Sequence, residues 1–116
     1  MAKKSETEAL KVTRGTGNVF ADLGFADAEE RQTKLRLAHA INQIIEQKNL
    51  TQAAAAVLLK ANQPKVSALL HYNLDGFSVE RLMTFLTALD RDVEISIKKK
   101  ARSHPSGRIS VIARQP

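Results

Sequence analysis

Four side chains between residues 63 and 68 carry groups that match the edges of DNA base pairs. The amide of Gln63 donates and accepts hydrogen bonds, as the N6 and N7 edge of adenine requires, and Lys65 can donate to guanine O6 and N7 or to a phosphate. Ser67 is a weaker hydrogen-bonding group, and the Ala68 methyl group can touch the methyl group of thymine. A helix that enters the major groove with its amino end first would bring these side chains to the base edges.

Three further polar residues are candidates for holding phosphate oxygens. Thr51, Gln52 and Asn62 lie at the expected amino termini of two short helices, where hydroxyl, amide and backbone N–H groups can bind an anion. Such contacts would position a protein on DNA without selecting a sequence. Taken singly, Thr51 and Asn62 are better explained as ordinary helix caps, and Pro64 as a first-turn proline. Their ordered combination favours DNA binding.

The spacing of apolar residues predicts the helices that position these groups. Before them, the apolar segment Val19–Phe25 is expected to be a brief extended or turn-like piece that covers one end of the core. Asp27 and Glu30 form a capping-box-like pair at the start of helix 1. The expected helices cover about residues 28–48, 52–59, 63–71 and 79–90, and the last three are capped by Thr51, Asn62 and Ser78. The expected core positions are Leu35, Ala38, Ile41, Ile44 and Ile45, the run Ala53–Leu59, Val66, Leu69 and Leu70, and Val79, Leu82, Met83, Phe85, Leu86 and Leu89.

Beyond the last helix, apolar and polar residues alternate as in a strand with one buried face. Val93, Ile95 and Ile97 form the apolar side of this strand, residues 92–98. The predicted fold is therefore all-α, with helices that include a helix-turn-helix, and with a C-terminal strand that pairs across a dimer. The predicted organisation is a flexible arm over residues 1–18, the domain over residues 19–98 and a basic mobile tail over residues 99–116.

Positive charge is concentrated at the carboxyl end of the chain. The net charge is +6, from 18 Lys and Arg against 12 Asp and Glu. Residues 91–116 carry seven basic and two acidic side chains, whereas residues 27–90 carry seven of each. A basic balance of this kind points to nucleic acid or an acidic partner, although charge alone fits a solvated extension equally well.

The segments that carry these groups resemble a known family of DNA-binding proteins. The residues that resemble the helix-turn-helix of the Xre/Cro-repressor superfamily are Leu50, Thr51, Gln52, Ala55, Ala56, Leu59, Asn62 to Ser67 and Leu69. The flanking segments that look like the HigA-like branch of that superfamily are Gly17–Gly24, Asp27–Glu30, Gly76–Met83 and Leu89–Ile95. The resemblance covers roughly residues 17–98.

The resemblance implies a helix-turn-helix domain of four to five helices like that of lambda repressor. It also implies a dimeric, cytoplasmic bacterial DNA-binding protein that recognises a palindromic operator. It further implies a repressor that is the antitoxin of a HigBA-type toxin-antitoxin operon, with a toxin protein as its second partner. Lys60 stands where this family usually has a glycine, and a side chain forced to positive φ there would cost about 1 kcal/mol, so we expect a slightly remodelled turn. His71 and Tyr72 replace the Arg and Gly that are usual there, which removes one phosphate contact.

Composition argues against other kinds of site. Cysteine is absent, which excludes thiolate metal ligands and thiol nucleophiles. His39, His71 and His104 are too scattered for a metal site, and adjacent Glu29 and Glu30 are better explained by helix capping than by catalysis. We therefore expect no cofactor, no metal and no enzymatic activity. The longest apolar runs are far shorter than the roughly 20 residues that span a bilayer, and the amino terminus does not read as a signal peptide.

A protein-interaction module is the alternative from a different functional class. In that interpretation the same helices chiefly dock a toxin or another protein through the arm and the tail, and DNA binds weakly. Polar side chains at the start of helix 3, Gln63 and Lys65, favour DNA, since a protein-docking face there would be apolar. An RNA-binding or nuclease role ranks third.

Overall fold

The computed structural model describes the backbone of residues 20–114 and the side chains of residues 27–114. The predicted arm over residues 1–18 therefore lies outside the described part. The four helices of this part are α1 (Phe20–Gln47), α2 (Gln52–Leu59), α3 (Gln63–Leu70) and α4 (Val79–Ala88). The chain divides into two units between Gln32 and Thr33. In the first unit the described residues are helical, and the second unit contains the core.

The start of α1 differs from the sequence prediction. The helix includes residues 20–26, so the extended or turn-like structure predicted for Val19–Phe25 is wrong for residues 20–25, and Val19 lies outside the described residues. Asp27 lies inside the helix instead of capping it. Strong helix formers on both sides, among them Ala21, Ala26 and Ala28, favour continuing the helix through this region. The cost of about 1 kcal/mol for Gly24 in a helix is too small to end it.

The other three helices begin at the predicted caps. Thr51, Asn62 and Ser78 have extended backbone angles, and the side-chain oxygen of each accepts a hydrogen bond from the backbone amide three residues later. This is the geometry in which a short polar side chain satisfies an amide that has no partner within the helix. Asn62 is followed by Pro64 in the first turn of α3, where the missing N–H of proline costs nothing.

Each helix is followed by a non-glycine residue in the left-handed conformation. Asn49, Lys60, Tyr72 and Asp90 have φ between 54° and 63°. In every case the next residue donates its amide to a carbonyl five positions earlier, as in a Schellman motif. Asn and Asp tolerate this conformation, whereas Lys60 and Tyr72 each cost about 1 kcal/mol. Lys60 thus adopts the left-handed conformation that is usual for glycine.

The core lies where α1 from Thr33 onward, α2, α3, α4 and the loop before α4 meet. Leu74 and Phe77 of that loop are buried, and the Phe77 ring meets the Phe85 ring edge to face with centroids 5.9 Å apart. Most predicted core positions are buried or half-buried. The buried hydrophobic residues are Leu37, Ala38, Ala40, Ile41, Ile44, Ile45, Ala55, Leu59, Val66, Leu69, Leu74, Phe77, Leu82, Phe85, Leu86 and Leu89.

Two parts of the core prediction are wrong. Leu35 is exposed, and Leu37, two positions later, is buried on the same stripe as Ile41. The run Ala53–Leu59 is not uniformly buried, since Val57 is 78% exposed. A helix of eight residues turns only one side to the core, so an unbroken apolar run must leave some members in solvent.

Residues 91–114 contain neither a helix nor a strand, so the strand predicted over residues 92–98 does not form in a single copy of the chain. A strand requires a hydrogen-bonded neighbour. Within the described residues, no segment supplies one. Ile95 and Ile97 are exposed, while Val111 packs against the core and its carbonyl oxygen accepts from Arg36 Nη1 at 3.4 Å. This hydrogen bond links the tail to α1.

Candidate nucleic-acid interface

The amino termini of α2 and α3 offer donors suited to phosphate oxygens. Thr51 Oγ1 accepts from the Ala54 amide at 3.1 Å, and Asn62 Oδ1 accepts from the Lys65 amide at 2.8 Å. These bonds leave the hydroxyl proton of Thr51 and both Nδ2 protons of Asn62 as donors. The first amides of each helix add donors, since they have no carbonyl partner within the helix. All three predicted positioning residues, Thr51, Gln52 and Asn62, are exposed.

Charge at these two helix ends favours an anion. Neither α2 nor α3 has an acidic residue in its first turn, whereas α4 has Glu80 there. The partial positive charge at a helix amino terminus is therefore not offset locally in α2 and α3. A phosphate at either end meets N–H donors and a favourable dipole together.

The predicted base-reading residues lie along α3 with graded exposure. Gln63 and Lys65 are exposed in the first turn, and Ser67 and Ala68 are half-buried in the second. Val66, between them, is buried and attaches the helix to the core. The exposed side of α3 is therefore polar and small, which suits entry into a groove about 12 Å wide.

Lys65 is engaged with the loop before α4. Its Nζ donates to the carbonyl oxygen of Gly76 at 3.2 Å and lies 4.9 Å from the centroid of the Phe77 ring. On α4, the Arg81 guanidinium lies 5.1 Å from the Phe85 ring centroid in a similar cation–π contact. The two cations thus flank the Phe77 and Phe85 ring pair.

Side chains of α1 and α3 hold the carboxyl end of α3. Asn42 Nδ2 donates to the Leu69 carbonyl oxygen at 3.1 Å. His71 Nδ1 lies 2.8 Å from the Ser67 carbonyl oxygen, and His39 Nδ1 lies 3.4 Å from Tyr72 Oη. These contacts fix the far end of α3, which leaves its amino-terminal half as the accessible part.

Sites of other kinds are not found in the described part of the chain. Among residues 27–114, no group of three or more His, Asp or Glu side chains could hold a metal ion. None of the four helices has a stretch long and apolar enough to cross a membrane.

Comparison with known proteins assigns the family. A family model described as a helix-turn-helix domain matches residues 19–98. A solved structure named "Putative XRE Family Transcriptional Regulator" is 67% identical over 76% of this chain and 99% of its own, with a TM-score of 0.73. The chain belongs to the XRE family of helix-turn-helix proteins. No curated protein matches the sequence.

The consecutive short helices α2 and α3 lie within the residues that the helix-turn-helix model matches. In a helix-turn-helix unit the second helix enters the major groove, and the first lies across the DNA backbone. The predicted relation to the Xre superfamily is confirmed, and the helices of the described residues agree with the predicted all-α fold. A family of DNA-binding regulators also agrees with the expectation that the chain is not an enzyme.

Sequence reasoning missed the residues that hold α3 in place. Asn42, Gly76 and Phe77 each contact a residue of α3 from another element. Gly76 was recognisable as part of a turn, but nothing in the sequence indicates that its carbonyl group accepts from Lys65. These contacts depend on tertiary packing and are invisible to local patterns.

Asn62 allows helix capping and phosphate contact to be separated by mutation. Asn62→Asp retains a capping oxygen, so we expect the free energy of unfolding to change by less than about 0.5 kcal/mol. It also replaces two donors by a negative charge, which should weaken binding to every duplex. Asn62→Ala should instead lower the free energy of unfolding by about 0.5–2 kcal/mol. Urea unfolding and fluorescence anisotropy with labelled duplexes measure the two effects.

The control adds the same charge elsewhere. Ala88 is the last residue of α4, and Ala88→Glu should leave DNA affinity close to that of the wild type. If Asn62→Asp binds DNA as well as this control does, Asn62 is a cap without a phosphate contact.

Proposed function

We propose that the chain is a sequence-specific DNA-binding transcriptional repressor. The observation that carries this proposal is the exposed amino-terminal half of α3, where Gln63 lies one residue after the Asn62 cap on a helix whose first turn has no acidic residue. Gln63 reads an adenine edge, Ser67 adds a hydrogen bond, and Ala68 contacts a thymine methyl group. Lys65 belongs to the same face, with its ammonium group held at the loop before α4.

The amino ends of α2 and α3 set the register on the duplex. Thr51, Gln52 and Asn62 donate to phosphate oxygens on either side of the groove that α3 enters. Repression follows from occupancy, because a protein seated on an operator excludes other proteins from the same DNA. The name of the 67% identical relative supports a regulatory role.

A homodimer on a palindromic operator completes the proposal. One helix-turn-helix reads few base pairs, so a second copy about 34 Å away, one DNA turn, supplies the specificity that a single copy lacks. Ile95 and Ile97 are 74% and 94% exposed in a segment with the alternation of a strand. We propose that residues 92–98 of two copies pair as antiparallel strands across a two-fold axis, which satisfies their backbone groups and covers these side chains.

Charge placed on the proposed strand tests the dimer. Ile95→Lys combined with Ile97→Lys should convert the dimer into a monomer and leave the monomer folded, because both side chains lie outside the core. Sedimentation velocity over a range of concentrations measures the state. Replacing Val57, which is also exposed, by Lys is the matched control and should leave the dimer intact. An unchanged dimer in the double variant refutes the role of the strand.

The setting proposed for this repressor is the cytoplasm of a bacterium, as the antitoxin of a HigBA-type operon. The exposed apolar side chains Ile95, Ile97 and Ile112 support a protein partner as the alternative main function, since a docking site needs such groups. Co-purification with the product of the adjacent gene distinguishes the settings. A stable complex supports the antitoxin, and its absence alongside tight operator binding supports a repressor without a toxin.

Selection from a pool of random duplexes tests DNA recognition itself. We expect enrichment of a palindromic sequence with half-sites one helical turn apart, bound about a thousandfold or more tightly than a scrambled duplex. Enrichment of no sequence would refute the proposal and favour the protein-interaction alternative.

A further inference from the structure

Lys65 connects the first turn of α3 to a loop that the core holds in place. Its Nζ contacts the Gly76 carbonyl oxygen and the face of the Phe77 ring, at 3.2 Å and 4.9 Å to the centroid. We refer to these two contacts as the Lys65 bridge. The Phe77 side chain is 5% exposed and packs edge to face on Phe85. The ammonium group is therefore anchored to a buried ring.

We propose that Lys65 is a positioning residue for DNA recognition, which fixes the first turn of α3 and thereby the orientation of Gln63, instead of reading a base itself. This inference rests on the proposed function. The backbone amide of Lys65 is tied to Asn62 Oδ1 at 2.8 Å, and the side chain is tied to the loop. Gln63 lies between Asn62 and Lys65, so the bridge and the cap together restrain the turn that carries it.

Energetics disfavours a direct contact of Lys65 with a base. To reach a base edge, the ammonium group must give up both a charge-assisted hydrogen bond and a cation–π contact. Gln63, in the same turn, has no comparable competing contact in the described structure. The bridge therefore favours a division of roles, with Gln63 as the reader and Lys65 as its support.

Gly76 provides a way to perturb the bridge without changing any charge. A Cβ added at Gly76 would lie 3.0 Å from Lys65 Nζ, so the ammonium group must move by a few tenths of an ångström. The backbone of Gly76 is not in the left-handed region, so alanine adopts the same conformation without strain. Gly76→Ala should therefore shift the ammonium group and weaken its hydrogen bond while keeping the loop.

The experiment measures the affinities of five variants for the selected duplex and for duplexes altered at single positions. The variants are Lys65→Met, Lys65→Arg, Gly76→Ala, Gln63→Ala and the Gln63→Ala/Lys65→Met double variant. Lys65→Met and Gly76→Ala should each weaken cognate binding roughly two- to tenfold. Both should relax discrimination at the base pair that Gln63 reads. Lys65→Arg should keep that discrimination, because a guanidinium group can also donate to the Gly76 carbonyl group and stack on the Phe77 ring.

Coupling and salt dependence separate positioning from direct contact. In the Gln63→Ala background, the added Lys65→Met change should cost less than about twofold, since no reader remains to be positioned. The salt slope should stay within error of the wild type, whereas a lost phosphate contact lowers it by about 0.9. Circular dichroism melting verifies that each variant is folded.

Three outcomes overturn the inference. They are a lower salt slope in Lys65→Met, relaxed discrimination at a base pair other than that of Gln63, and wild-type discrimination in Lys65→Met. The first assigns Lys65 to phosphate, the second assigns it to a base, and the third makes the bridge irrelevant to recognition. Failure of the wild type to prefer any duplex is a different result, because it refutes the proposed function before any variant is compared.

Discussion

Phe85→Ala is expected to lower the free energy of unfolding by about 3–5 kcal/mol, the range for removing a large buried aromatic side chain. Phe85 is 2% exposed and is among the largest fully buried residues. Its ring packs against Phe77 and beneath the Arg81 guanidinium, so truncation removes both contacts and leaves a cavity. With total stabilities of about 5–15 kcal/mol typical of small domains, this loss removes a large part of the free energy of unfolding.

Urea unfolding followed by circular dichroism measures the effect at one fixed chain concentration, because association would add to the apparent stability. Val57→Ala is the matched control, since Val57 is 78% exposed and its truncation should change the free energy of unfolding by less than about 0.5 kcal/mol. A loss below about 1 kcal/mol for Phe85→Ala would contradict its place at the centre of the core.

Gln63→Ala is expected to cost about 1–3 kcal/mol of binding free energy per half-site on the selected operator. The loss should be confined to one base-pair position in each half-site, because the bidentate amide contact carries information about one base. On a scrambled duplex, where that contact is not made, the variant should bind like the wild type. The stability of the fold should not change, since Gln63 is exposed.

Gln52→Ala applies the same chemical change at a proposed phosphate-contacting residue. It should weaken binding to cognate and scrambled duplexes by the same factor, because phosphates carry no sequence information. Anisotropy titrations of both variants on both duplexes measure the difference. An equal loss on both duplexes for Gln63→Ala would show that Gln63 does not read sequence.

Three of the four helix starts were predictable from sequence because capping is local. Thr51, Asn62 and Ser78 each bond to an amide three residues away, so the residue type and its position before a helical pattern contain the whole signal. The strain at Lys60 was foreseen on a different ground, the family resemblance, in which a glycine usually stands at this position.

The errors came from interactions that extend beyond a few residues. Asp27 has the local signature of a cap, but helix propensity before it continues α1 upstream to Phe20. The segment from Val93 to Ile97 has the alternation of a strand, but a strand forms only with a partner at hydrogen-bonding distance. Periodicity describes one chain segment and contains no information about its neighbours.

In the candidate site, too, features that depend on local sequence were predictable and contacts between distant residues were not. The exposure of Gln63 was expected from the apolar spacing of α3, whose buried residues Val66 and Leu69 turn it outward. The contact of Lys65 with Gly76 spans 11 residues and depends on how the loop before α4 folds over α3. No sequence pattern reveals that contact, and it changes the role that we assign to Lys65.

The most direct test of the account is a titration of isotope-labelled protein with the selected duplex, followed by backbone amide chemical shifts. We predict that the largest changes fall at residues 51–52 and 62–68, at the amino ends of α2 and α3. The changes should reach a limit at one dimer per duplex. Changes concentrated at residues 93–97 or 57–58, with residues 62–68 unaffected, would contradict the claim that α3 enters the DNA.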